Sequence, residues 1–280
     1  MLMALVLYHL ATVSIAQSPA MATDESCKHF RELVVEQRCG LLHIRFQRHW
    51  QRRTLYELMR ALDLASADAA VKVVVLSGEF SAACGGETEP LALKQGLQKR
   101  SRRTAAQEEA VGSGDAEEQY IHEKAANFVM RSLAKKLLVQ RKLLVAFVER
   151  QCVGLGLSVC SLCDLVFATE SSAFVPAFSH LDPCTKVGPG WTVPHVHWLL
   201  RLGDQASSST ALQCGLVASV VREPQEFWHR VDQYLRLPFA SLLATKRLLF
   251  RPWQDSLLAE LREEGTPLAA QRRRLARSSL

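Results

Sequence analysis

The sequence predicts an α/β fold in which strands alternate with helices and glycines follow the strands. Two observations carry this. The runs Val71 to Ser77 (VKVVVLS) and Leu143 to Val148 (LLVAFV) are almost wholly apolar and end at turn residues, as strands buried on both faces do. Between and after them come segments with apolar residues at helical spacing, and strand–helix–strand order implies a parallel crossover.

The elements follow in order. From Arg31 to Gln47, the apolar stretches Leu33-Val34-Val35 and Leu41-Leu42-His43-Ile44-Arg45-Phe46 flank Cys39-Gly40, which predicts a hairpin. Leu55, Leu58, Met59, Leu62 and Ala65 recur at helical spacing and predict a helix over 54–67 that leads into the strand at 71–77. From Lys94 to Gln119 charge and small residues dominate, with the basic cluster Lys99-Arg100-Ser101-Arg102-Arg103 and the run Gly112-Ser113-Gly114, a surface excursion. An amphipathic helix over Tyr120 to Leu138 precedes the strand at 143–148. Val153-Gly154-Leu155-Gly156-Leu157 is a glycine turn opening a helix that runs through Leu162, and Leu165 to Ala168 is a further short strand. Beyond Trp191 the pattern is helical, with Ala211 to Val221 as helix into strand, helices over Glu223 to Phe250, and punctuation at Pro238 and Pro252. No tandem repeat is visible.

Composition bounds the function. The 280 residues are 48% hydrophobic and 22% charged, enough apolar side chain for a large buried core. A net charge of +6 favours anionic ligands or surfaces without naming one, and it establishes no nucleic-acid contact. The eight cysteines show no framework of regular spacings, which suggests free thiols in a reducing compartment. Leu2 to Ala16 is apolar and resembles a signal-peptide core, yet it lacks a positive n-region and is short for a membrane span, so no stable span is expected. Arg31 is the first arginine, so no Arg-rich presequence is visible, and Met21 is an alternative start. The expected organisation is an apolar leader or disordered N-terminus over 1–28, a core over 29–200 and a helical region over 201–280.

Three segments together resemble the crotonase superfamily of enoyl-CoA hydratases and isomerases. They are similar above all to the peroxisomal enoyl-CoA delta isomerases and to the crotonase-like domain of the chromodomain-Y-like corepressors. The first is VKVVVLSGEFSAACGGE (Val71 to Glu87), in which Cys84-Gly85-Gly86-Glu87 matches a small-Gly-Gly-acid pattern. The second, LLVAFVERQCVGLGLSVCSLCDLVFAT (Leu143 to Thr169), resembles the family's strand, glycine turn, helix and Cys-Asp-strand pattern, with Glu149-Arg150 where the family has Asn-Gly. The third spans Ala173 to Pro194, with Phe174, Phe178-Ser179-His180-Leu181 and Pro194. The resemblance implies a ClpP/crotonase-type spiral of ββα turns with a helical C-terminal region. It also implies a coenzyme A thioester as ligand with no further cofactor, and a homotrimer or hexamer.

In this superfamily two backbone N–H groups hold the thioester carbonyl oxygen and stabilise the enolate. By position these belong to Cys84 and Leu155, the latter at a helix N-terminus that favours negative charge. Proton transfer beside the thioester needs a carboxylate of raised pKa. Hydratases place glutamates at positions matching Ser158 and Phe178, and isomerases one at the position matching Lys186, so no catalytic side chain is assigned. Lys186 would act as a base only if desolvation lowered its pKa by several units. His180 belongs to an apolar stretch and reads as structural, and Cys84 has no nameable charge partner. Cys160 and Cys163 form a C-x-x-C without a second ligand pair, and His195 and His197 are no better as a metal pair, so no metal is expected. Lys186-Val187-Gly188-Pro189-Gly190 puts proline and glycines where the family begins a helix, and Leu202 to Gly215 is shortened relative to it.

The implied function is an enoyl-CoA isomerase/hydratase-like protein that binds acyl-CoA thioesters and is weakly active or inactive. The alternative is a non-catalytic regulatory or scaffold module like the chromodomain-Y-like domain, with Lys99 to Arg103 then a nuclear localisation signal. Arg277-Ser278-Ser279-Leu280 resembles the peroxisomal S-K-L address in part, so peroxisomal residence is expected, with mitochondrial or nuclear as alternatives.

Overall fold

A computed structural model describes residues 30–48, 50–81, 128–176 and 205–263, without the side chains of 250–253 and 256–263. Leu33–Arg38 (β1) and Leu41–Phe46 (β2) form the expected antiparallel hairpin. Its turn falls at Gly40, whose φ of 84° is a left-handed value that glycine adopts without strain. Arg52–Ala67 (α1) starts two residues before the apolar periodicity does. Thr54 Oγ1 there accepts from the Gln51 N–H at 3.0 Å, so the added turn is closed by a polar contact rather than by packing.

Val73–Gly78 (β3) runs parallel to β2, and after Phe80–Ser81 (β4) the description resumes with a helix over 128–138 (α2). Leu143–Val148 (β5), Gln151–Val153 (β6) and Leu155–Ser161 (α3) then make one complete strand–strand–helix unit. Leu165–Thr169 (β7), Ala173–Val175 (β8), Ala206–Ser207 (β9), Ser208–Gln213 (α4) and Ser219–Val221 (β10) follow. Pro224–Arg236 (α5) and Phe239–Glu263 (α6) complete the described chain. Pro238 separates the last two helices as expected, whereas α6 continues through Pro252. The loss of one i→i−4 hydrogen bond does not end a helix of 25 residues.

The strands form two sheets. The larger has the order β1-β2-β3-β5-β7-β10, parallel except for the first hairpin, and the smaller has the order β4-β6-β8-β9. Each of the pairs β3–β4, β5–β6 and β7–β8 leaves the larger sheet and enters the smaller one, which is the ββα spiral the sequence implied. β9 and β10, within 201–280, join both sheets, so that region is not helical throughout.

Successive side chains of the larger sheet point to opposite faces. Leu42, Ile44, Val74, Leu76, Leu144 and Ala146 face a core shared with α1, α2 and α3. Leu41, Val73, Val75, Val145 and Phe147 face the other way, where α5 covers them with Phe227 and Val231. Phe147 and Phe227 stack there with ring centroids 4.2 Å apart. Two buried polar ties fix elements to this frame. The Glu57 carboxylate of α1 accepts from the backbone N–H groups of Arg31, Glu32 and Leu33, with contacts of 2.8 to 3.3 Å, and so anchors the entry to β1. Lys246 of α6 pairs with Asp164 at 2.7 Å and holds that helix against the start of β5.

Candidate functional site

The glycine turn of the sequence lies where the smaller sheet meets α3. β4 and β6 pair in parallel with Phe80 opposite Cys152 and Ser81 opposite Val153, so the chain leaves both strands in the same direction at the same edge. Past β6, Gly154 adopts φ 59° and ψ −114°, a conformation open to glycine, and donates its N–H to the Val175 carbonyl at 3.0 Å. Leu155 then begins α3. A β-carbon at Gly156 would lie 1.8 Å from the Phe80 carbonyl oxygen, so only glycine lets the first turn of α3 rest on the β4 backbone.

Leu155 accordingly has its side chain in the core at 5% exposure, and its N–H belongs to the first helical turn, where backbone donors have no intrahelical acceptor. No acidic residue occupies that turn. The turn can therefore present a backbone donor and the positive end of a short helix to an oxyanion.

Ser158 sits one turn further along α3, fully buried, with its N–H donated to the Gly154 carbonyl at 3.3 Å and its own carbonyl accepting from Ser161 Oγ at 2.8 Å. It is a hydroxyl inside the helix packing. Cys84, Phe178 and Lys186 lie outside the described residues, as do His180, His195, His197 and the Gly188-Pro189-Gly190 run. Asp164, just beyond α3, is committed to structure. Its Oδ2 accepts from the Leu144 N–H at 2.7 Å and from Lys246 at 2.7 Å, and burial pushes its pKa up while Lys246 opposes the shift.

Cys160 and Cys163 are buried thiols whose pKa values burial drives well up, and Cys160 Sγ lies 3.7 Å from Cys152 Sγ. Among the described residues no three metal-ligating side chains come together. No helix among them is long and apolar enough to cross a membrane. Sequence reasoning missed a polar group on the opposite face of the larger sheet, around His43. The only sequence sign of it is that His43 and Arg45 interrupt an otherwise apolar strand.

No family model matches the chain. Enoyl-CoA delta isomerase 2 from Homo sapiens is 24% identical over 258 residues, which cover 86% of this chain and 60% of that protein. Chromodomain Y-like protein 2 from Mus musculus is 23% identical over 256 residues, covering 86% of this chain and 47% of that protein. The chain thus spans less than two thirds of the length of either relative. An enoyl-CoA hydratase from Bacillus halodurans superimposes with a TM-score of 0.67 at 19% identity, over 86% of this chain and 94% of that one. The paired sheets, the ββα units and the glycine turn on β4 agree with these likenesses: the chain has the crotonase fold, and its sequence is similar to enoyl-CoA delta isomerase 2 and Chromodomain Y-like protein 2.

Proposed function

We propose that this chain binds acyl-CoA thioesters through the backbone N–H groups of Cys84 and Leu155 and turns them over very slowly or not at all. The observation that supports the binding half is the seating of α3 on β4, which requires glycine at 156 beside Leu155, the first residue of the helix. The catalytic half rests on residue chemistry. Ser158 and Phe178 occupy the hydratase positions and Lys186 the isomerase position, none of them a carboxylate. A general base contributes about 100- to 10,000-fold, so a scaffold with only oxyanion donors falls far below a competent enzyme.

Calorimetry with a 3-enoyl-CoA tests binding, and saturable heat is expected. A turnover assay on the same substrate tests the rest, and Lys186→Glu is expected to raise the rate. Robust turnover by the wild type that Lys186→Ala leaves unchanged would mean another residue moves the proton. The reading includes a homotrimer or hexamer, measured by light scattering, and peroxisomal residence, tested by imaging a fluorescent fusion with and without Leu280. The similarity to Chromodomain Y-like protein 2 favours a second reading, a binding module without turnover. Under it, saturable acyl-CoA binding would be absent in a folded sample.

A further inference from the structure

The face of the larger sheet turned away from Leu155 carries a second constellation. The β1–β2 hairpin sets Glu36 directly opposite His43, and the parallel β2–β3 register sets His43 opposite Val75 and Arg45 opposite Ser77. Because side chains alternate, His43, Arg45 and Ser77 share the face on which α5 packs. His43 Nε2 lies 2.7 Å from Ser77 Oγ, and His43 Nδ1 lies 3.6 Å from Glu36 Oε2. One tautomer satisfies both contacts, with the Nδ1–H aimed at the carboxylate and the Nε2 lone pair accepting the serine proton. The Trp228 ring of α5 meets the imidazole edge-on, with centroids 4.8 Å apart, and limits its rotation.

These groups line a hollow of about 530 Å³, which also receives Arg38 and Arg45. A serine, an imidazole and a carboxylate in this order, lining one cavity, have the connectivity of an acyl-transfer relay. The 3.6 Å contact is longer than a hydrogen bond, as relay contacts often are without substrate.

We propose that Ser77, His43 and Glu36 form a nucleophilic relay that hydrolyses small carboxylic esters. Ser77 Oγ attacks the ester carbonyl carbon while its proton passes to His43 Nε2. The tetrahedral intermediate collapses by breaking the bond to the alkoxide oxygen, which takes the proton from Nε2 and leaves as an alcohol. Water then attacks the acyl-serine, gives a proton to Nε2, and Ser77 leaves with that proton, releasing the acid. Glu36 is a positioning residue that holds the imidazole tautomer.

The charged groups around the imidazole are Glu36 and Arg38 from β1, Arg45 from β2, Glu149 after β5 and Asp232 from α5. Burial first, then Arg45 and Arg38, lower the His43 pKa to about 4, so the imidazole is neutral throughout the physiological range. It is a weak base there, and its protonation does not gate the reaction near neutrality.

The test treats the full chain with a fluorophosphonate probe and maps adducts by peptide mass spectrometry. A single adduct on Ser77 is expected, absent in Ser77→Ala and reduced at least 100-fold in His43→Gln. Glu36→Gln should slow labelling at least tenfold and shift its pH profile. In the wild type the labelling rate should stay flat from about pH 8 to 5 and fall only near pH 4. Hydrolysis of nitrophenyl acetate is expected, and it should be lost in Ser77→Ala. Mapping on the wild type does not depend on any variant folding. No adduct on Ser77, or one whose rate His43→Gln leaves unchanged, overturns the assignment, as does nitrophenyl acetate hydrolysis that Ser77→Ala leaves unchanged. Acyl-CoA binding at Leu155, on the other face, is measured separately, so either site can fail alone.

Discussion

Replacing Lys246 by methionine removes the cation that compensates Asp164, and the cost can be worked from the surroundings. The two side chains are 12% and 9% exposed, and Asp164 Oδ2 accepts from both Lys246 Nζ and the Leu144 N–H at 2.7 Å. Lys246 Nζ also donates to the Lys142 carbonyl at 2.8 Å, so one ammonium group joins α6 to the start of β5 and to the turn before β7. Methionine retains most of the stem's packing and deletes the charge, leaving a buried carboxylate with only a backbone donor. Breaking a buried pair on one side costs about 3–5 kcal/mol, or roughly 6–20 °C in Tm for a domain of this size.

Urea denaturation of wild type, Lys246→Met, Asp164→Asn and the double variant at pH 7.5 would measure it. The double variant should lose less than Lys246→Met alone, because Asn keeps an acceptor for the Leu144 N–H and leaves no unpaired charge. Burial already raises the Asp164 pKa, and loss of Lys246 raises it further. The folded variant then holds a proton that the unfolded chain releases, so its deficit should shrink as the pH falls through that raised pKa toward the ordinary 3.8. A Lys246→Met deficit under about 0.5 kcal/mol at pH 7.5 would refute the reasoning, since the pair would then be solvated and surface-like.

Gly156→Ala should destabilise by about 3 kcal/mol in thermal unfolding although alanine is about 1 kcal/mol the better helix former, because its β-carbon meets the Phe80 carbonyl at 1.8 Å; a gain in stability would contradict that close approach. Glu57→Ala should cost about 1–3 kcal/mol and speed hydrogen exchange at Arg31, Glu32 and Leu33, whose N–H groups lose their acceptor. His43 has a folded pKa of about 4 against 6.5, so the unfolded chain binds the extra proton between those values. About 3 kcal/mol of stability present above pH 6.5 should therefore be lost as the pH falls toward 4, and the difference between wild type and His43→Gln across that window measures it.

The longer elements were legible because each carries its own period. α1 shows its apolar stripe, β5 its unbroken run of six apolar residues, and the hairpin its Cys39-Gly40 turn. The smaller sheet was not legible. β4, β6, β8 and β9 have two or three residues each, too few to show alternation, and they exist because neighbouring backbones pair. Leu155 and Ser158 stand in α3, whose glycine turn was legible, while the requirement for glycine at 156 comes from Phe80, 76 positions earlier in the chain.

The sequence by itself determined the crotonase-type fold, the order of the major strands and helices, and the absence of a carboxylate at Ser158, Phe178 and Lys186, since these are matters of local pattern and residue identity. Tertiary structure alone decided which residues meet. Glu36, His43 and Ser77 are brought together by one antiparallel and one parallel register, and Asp164 acquires its partner from Lys246, 82 residues away. Strand register and helix docking are set by burial of whole faces, a long-range balance that no local stretch of sequence encodes.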